Sequence, residues 1–185
     1  MDADIKRCSF ATQTVATMLI IFGGLPGVGK TTIARELARQ LGTVYLRIDS
    51  IEQAIRDCGK TYGSLDESGY CVAYAVAKDN LLLGRTVIAD SVNPVRVTRE
   101  AWAEVASLAG VHKFEVEVTC SSPQLHRQRL EARPADIVGP RLTWEEVLSR
   151  EYEPWNREHI VIDTAATSVA EAVAELRKAF VERAT

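Results

Sequence analysis

The sequence has little of what marks several protein classes. No apolar run approaches transmembrane length; the stretch Met18–Phe22 is too short for a signal-peptide core or a membrane span. No surplus of basic charge exists either: 22 Lys and Arg against 25 Asp and Glu give a formal net charge of -3. A global basic field for holding a polyanion is therefore absent, and work on long DNA or RNA would need a local basic patch. Four cysteines, Cys8, Cys58, Cys71 and Cys120, form no C-x-x-C pair, which argues for reduced thiols rather than a disulfide framework or a zinc site. His112, His126 and His159 lie far apart without ligand spacing and are read as surface or edge residues. Trp102, Trp144 and Trp155 are too dispersed for a nucleic-acid stacking track and read as packing residues of the core or a lid. These absences leave a cytoplasmic protein with no membrane role as the expectation.

Within 185 residues there is room for one domain with a substantial core. Residues 1–17 read as a loosely ordered extension, and folding is expected to begin at Met18. Met18–Phe22 (MLIIF) has the composition of a buried parallel strand and runs into glycine. Ile33, Ala34, Leu37, Ala38 and Leu41 recur at helical spacing before Gly42. Thr43–Ile48 and Thr86–Ala89 read as strands ending at Asp49 and Asp90; Lys113–Thr119 and Ile160–Ile162 complete five. Helices are expected at about 50–57 and 70–83, from Pro94 to about Leu108, and after Pro123. Two more should open at the capping boxes Thr143/Glu146 and Ser168/Glu171. Alternating strands and helices predict a three-layer α/β fold, a five-stranded parallel sheet with helices on both faces.

Gly24-Leu25-Pro26-Gly27-Val28-Gly29-Lys30-Thr31 satisfies G-x-x-x-x-G-K-[ST] between a predicted strand and a predicted helix. Glycines let the backbone turn its N–H groups toward one point, and the positive end of the following helix adds to that field. Lys30 supplies a point charge for the β- and γ-phosphates, and the Thr31 hydroxyl can ligate Mg²⁺. Thr32 follows at the same helix start.

On these residues, together with Asp49, Asp90, the Arg129–Arg133 segment RLEAR and Ile162–Ala165 (IDTA), the chain resembles the P-loop kinase group. That group includes gluconate, shikimate, adenylylsulfate and polynucleotide 5′-kinases, and the likeness covers about Met18 to Glu182. The resemblance implies a P-loop NTPase fold as a single domain over 18–185, with a short lid at about 133–142. It implies an acceptor contact at Asp49, which would orient the acceptor hydroxyl and take its proton; an N-cap for the following helix is the other reading of that residue. Asp90 stands in a Walker-B-like place for Mg²⁺, or is a solvated strand-end carboxylate. Arg129 and Arg133 would close over the phosphates, or form a solvated basic helix end paired with Glu131. The IDTA loop would lie beside the adenine. Arg96 and Arg99 would meet an acidic acceptor, or are ordinary exposed helix arginines.

ATP and Mg²⁺ are the implied cofactors, and a small-molecule hydroxyl acceptor is the implied partner. A polynucleotide 5′-kinase and a nucleotide-dependent ATPase or switch stay open as alternatives. Neither the acceptor nor the oligomeric state is readable from the sequence.

Overall fold

The computed structural model describes residues 16–59, 68–132 and 142–183. Alternate side chains of the first strand, β1 (Met18–Gly23), enter two different cores, because both faces of the sheet are covered. Met18, Ile20 and Phe22 face one way and Leu19 and Ile21 the other, all at 1% exposure or less. The remaining strands are β2 (Val44–Arg47), β3 (Val87–Asp90), β4 (His112–Thr119) and β5 (Ile160–Asp163), all parallel, in the order β2-β3-β1-β4-β5.

On the first face, α1 (Lys30–Leu41) and α7 (Val169–Arg183) bury Ile33, Leu37, Leu176 and Phe180 against Phe22, Ile88 and Val116. On the second, α3 (Ser68–Leu82) and α4 (Arg96–Ala109) bury Ala73, Ala77, Leu81, Trp102 and Val105. Trp102 is a core residue and meets the Tyr74 ring edge-on at 4.6 Å. Among the described residues the remaining helices are the shorter α2 (Ile48–Asp57), α5 (Pro123–Ala132) and α6 (Trp144–Leu148). Both capping boxes form, Thr143 with Glu146 and Ser168 with Glu171. Among the described residues no helix is long and apolar enough to cross a membrane.

The connections leaving β1 and β3 go to opposite faces, β1 to α1 and β3 to α4. Neighbouring strands whose connections diverge open a crevice at their carboxyl ends, where ligands bind in open α/β sheets. The glycine-rich loop and Asp90 both sit there.

Three expectations need correction. Asp49 does not end a strand: β2 stops at Arg47, and Asp49 lies in the first turn of α2, whose N-cap is Arg47. Pro94 precedes its helix instead of opening it. Asn93 takes a left-handed turn at φ 49° and Val95 is extended, so helical geometry starts only at Arg96. His126 is not at the surface; it is 6% exposed. Of the expected extension at 1–17 and lid at about 133–142, residues 1–15 and 133–141 lie outside the described residues.

Candidate active site

The loop after β1 is shaped by contacts that exclude side chains. Gly24 has φ 138°, and a Cβ there would stand 2.2 Å from the Val118 carbonyl oxygen. Its N–H donates to Val92 O at 3.0 Å, tying the loop to the β3–α4 connection. Gly29, at φ 97°, is the N-cap of α1, where no side chain caps the helix and no acidic residue stands in the first turn. The orphan N–H groups and the positive end of the dipole are thus left for an exogenous anion.

Lys30, 8% exposed, sits with its Nζ 3.1 Å from Asp90 Oδ1. The Tyr45 hydroxyl donates to Asp90 Oδ2 at 2.6 Å. Burial opposes ionisation of Asp90, but the Lys30 ammonium and the hydroxyls of Tyr45 and Thr31 outweigh it and hold the carboxyl below its ordinary value. The same burial and the adjacent carboxylate push the Tyr45 phenol well above its ordinary value. Asp90 Oδ1 is solvent-excluded and receives no aligned hydrogen bond. Its near neighbour is the Lys30 ammonium, and a carboxylate oxygen beside that one contact still has a lone pair for a cation or its bound water.

The outward side of the loop is also engaged. Thr164, in the segment Ile162–Ala165, bonds through its hydroxyl to Val28 O at 2.7 Å and lies 3.0 Å from Thr119 O. Arg129 from α5 donates to the Thr164 hydroxyl at 2.8 Å and to its carbonyl at 3.1 Å. His126 Nε2 stands 2.8 Å from Pro26 O.

On the other side of Asp90, β2 and β3 pair in register with Arg47 opposite Asp90, which brings Asp49 to the same crevice. Arg47, 5% exposed, pairs with Asp49 at 3.2 Å. Tyr70 closes this side; its hydroxyl accepts from the Asn93 N–H at 3.2 Å.

The sequence-derived candidates thus divide. Gly24 to Thr32, Lys30, Thr31 and Asp90 converge at one point, and Asp49 reaches the same edge from α2. Arg129 touches the cradle through Thr164, and Glu131 pairs with Arg127 at 2.7 Å instead. Arg133 lies outside the described residues. Arg99 is no acceptor contact in this structure: at 2% exposure it donates to the carbonyls of Asn93, Pro94, Glu153 and Pro154. It braces the β3–α4 connection against the segment before β5, with Trp155 over its guanidinium at 4.3 Å. Arg96 is 62% exposed and pairs with Glu100 at 3.6 Å. Two residues were missed: Tyr45 carries no local signal, whereas His126 shares a helix face with buried Leu130 four residues on. Thr164 lies in the expected IDTA segment and bonds the cradle loop itself.

Residues 19–154 match a family model described as AAA domain. The chain belongs to this family. Uncharacterized proteins of Mycobacterium tuberculosis and Mycobacterium bovis are 31% identical to this AAA-family chain over 177 residues. The match covers 87% of this chain but 35% of theirs, so the chain spans about a third of the length of these relatives.

Among solved structures, the chain is similar to the adenylylsulfate (APS) kinase of M. tuberculosis in complex with AMPPNP and APS. The TM-score is 0.68 at 20% identity, covering 90% of this chain and 98% of that one. A gluconokinase from Sinorhizobium meliloti gives 0.63 at 20% identity, covering 92% and 94%. Kti12 of Chaetomium thermophilum in complex with ADP-AlF3 gives 0.63 at 22% identity, covering 88% and 98%. The AAA-family chain has the fold of the P-loop kinases, as its motifs implied.

Proposed function

We propose that this protein is an ATP-dependent phosphotransferase that moves the γ-phosphoryl group of ATP to a hydroxyl of a small-molecule acceptor. The observation carrying this reading is the convergence of Lys30, Thr31 and buried Asp90 on a cradle whose helix end is left uncapped. An open helix N-terminus, an ammonium and a Walker-type carboxylate together form a triphosphate site.

Thr31 and Asp90 would hold Mg²⁺, and the buried Oδ1 of Asp90, facing the Lys30 ammonium, is the oxygen that fits that role. When bound, the ion neutralises charge on the β- and γ-phosphates. Lys30 leaves Asp90 for the phosphates, and Tyr45 keeps its bond to the carboxylate meanwhile. Asp49, on the acceptor side, orients the attacking hydroxyl and takes its proton; pairing with Arg47 fixes its position. Arg129 steadies the cradle from below, and Arg133 would follow it at the lid. We take residues 18–185 as one domain carrying this site.

ADP release over a panel of sugars, sugar acids, nucleosides, aminoglycosides and short oligonucleotides tests the reading. One class should stimulate release above the ATP-only rate, and Lys30→Ala should abolish the stimulation. Stimulation by oligonucleotides alone would move the protein to the polynucleotide kinases. ADP release that no acceptor changes would make it an ATPase. Asp49→Asn should cut turnover strongly with little change in ATP affinity, and undiminished turnover would remove Asp49 from the proton's path.

A further inference from the structure

We propose that His126 is a positioning residue of the phosphate cradle, aiming a backbone N–H at the phosphates and joining the cradle's apex to Trp144 of α6. The inference rests on the nucleotide-binding reading of that cradle.

The loop is pinned at three places, the last two of them on its outward side. Gly24 N–H is bonded to Val92 O, and Val28 O to the Thr164 hydroxyl. Between them, Pro26 O lies 2.8 Å from His126 Nε2. A carbonyl only accepts, so Nε2 carries the hydrogen. No cis peptide is present among the described residues, and in a trans peptide the C=O and the following N–H point opposite ways. Holding the Pro26 carbonyl against α5 therefore turns the Gly27 N–H toward the concave side, as holding Val28 O turns the Gly29 N–H. Without the His126 bond the Pro26–Gly27 plane is freer to rotate, because Gly27 at φ 89° offers little local resistance.

The ring also makes physical contact with the apex. A Cβ on Gly27 would stand 3.2 Å from His126 Cδ2 and 3.1 Å from Leu130 Cβ. Trp144 meets the imidazole edge-to-face, centroids 5.0 Å apart at 88°. That contact fixes the plane of the imidazole, so the N–H is aimed before any ligand arrives. A ring N–H serves where a lysine would bring a fixed charge, because at 6% exposure an unpaired cation would be costly. The consequence is that α5 and α6, which flank residues 133–141, share one residue with the cradle.

Two substitutions separate this role from simple packing. His126→Gln keeps a side-chain N–H donor and loses the ring; His126→Phe keeps the ring and its contact with Trp144 and loses the donor. ADP affinity is read by calorimetry, with thermal denaturation as a check on folding. The Phe variant is expected to bind ADP roughly three- to tenfold more weakly, the worth of one hydrogen bond, and the Gln variant to lie between it and wild type, because its donor is kept but no longer aimed by Trp144. The reverse order, Phe near wild type and Gln impaired, would make His126 a packing residue and overturn the proposal. So would equal affinity in all three proteins. Should the Phe variant fail to fold, Trp144→Leu frees the ring and is expected to weaken ADP in the same direction; unchanged affinity there also overturns it. A wild-type protein that does not bind ADP overturns both this inference and the cradle reading, whereas wild-type binding with unaffected variants overturns this one alone.

Discussion

Lys30 and Asp90 each hold a charge out of water that the other makes tolerable. The Asp90 side chain is 1% exposed and that of Lys30 9%. Removing one partner of such a pair leaves an uncompensated buried charge, at about 3–5 kcal/mol. Lys30→Ala is therefore expected to lose stability as well as phosphate binding, and its inactivity alone would be ambiguous. A double-mutant cycle with Asp90→Asn resolves the two effects: the pair should cost less than the sum of the singles. Additive losses in urea unfolding would mean that the ion pair is not coupled. Acid gives a second handle on the same carboxylate. Its folded-state value is lowered, so its stabilising contribution is complete above the ordinary aspartate value, about 4, and fades as pH falls further toward the folded value. Asp90→Asn should flatten that part of the stability profile, and an unchanged acid limb would place the titration elsewhere. Tyr45→Phe removes a hydrogen bond to a charged acceptor, and about 1.5–3 kcal/mol of stability should go with it.

At the scale of elements, two glycines with left-handed backbones separate steric need from conformational need. Gly42 ends α1 at φ 63°, and a Cβ there would find nothing within 4 Å, so Gly42→Ala should cost only the left-handed conformation, about 1–2 kcal/mol. Gly24→Ala meets the Val118 carbonyl across the β1–β4 pairing and should lose more than about 4 kcal/mol, beyond the ordinary range for one substitution. Equal losses in denaturant unfolding would show that the Val118 contact relaxes without cost. The same division governs what the amino-acid order disclosed. The five strands, the cradle and the capping boxes are local: composition, period and spacing within a dozen residues carry them. Arg99 read as an acceptor contact or an exposed helix arginine because two of its acceptors, Glu153 and Pro154, lie more than fifty residues away. Asp49 read as a strand end because Ile48 suits either element, and only the pairing of β2 with β3 stops the strand at Arg47. His126 looked like a surface residue because a polar side chain on a charged helix gives no sign of the carbonyl it meets a hundred residues back.

For the whole molecule, the alternation of strands and helices announced the layered sheet, but the insertion of β3 between β2 and β1 did not follow from it. That insertion brings Asp90 beside the cradle, because β1 and β3 pair in register with Phe22 opposite Asp90. The site is therefore assembled from distant parts of the chain: the loop after β1, the end of β3, α5 through Arg129 and His126, and the β5–α7 connection through Thr164. A nucleotide seated there contacts a surface that exists only in the folded state, and binding to the native state alone raises stability by RT ln(1 + [L]/Kd). At a hundredfold excess of ADP over its Kd the gain is about 2.7 kcal/mol, which for a chain of this size raises Tm by about 5–11 °C. Lys30→Ala should show a much smaller rise at the same ADP concentration, since its affinity is lower. Thermal unfolding with and without ADP and Mg²⁺ makes the measurement. An equal rise in both proteins would mean that ADP stabilises the fold from somewhere other than the cradle.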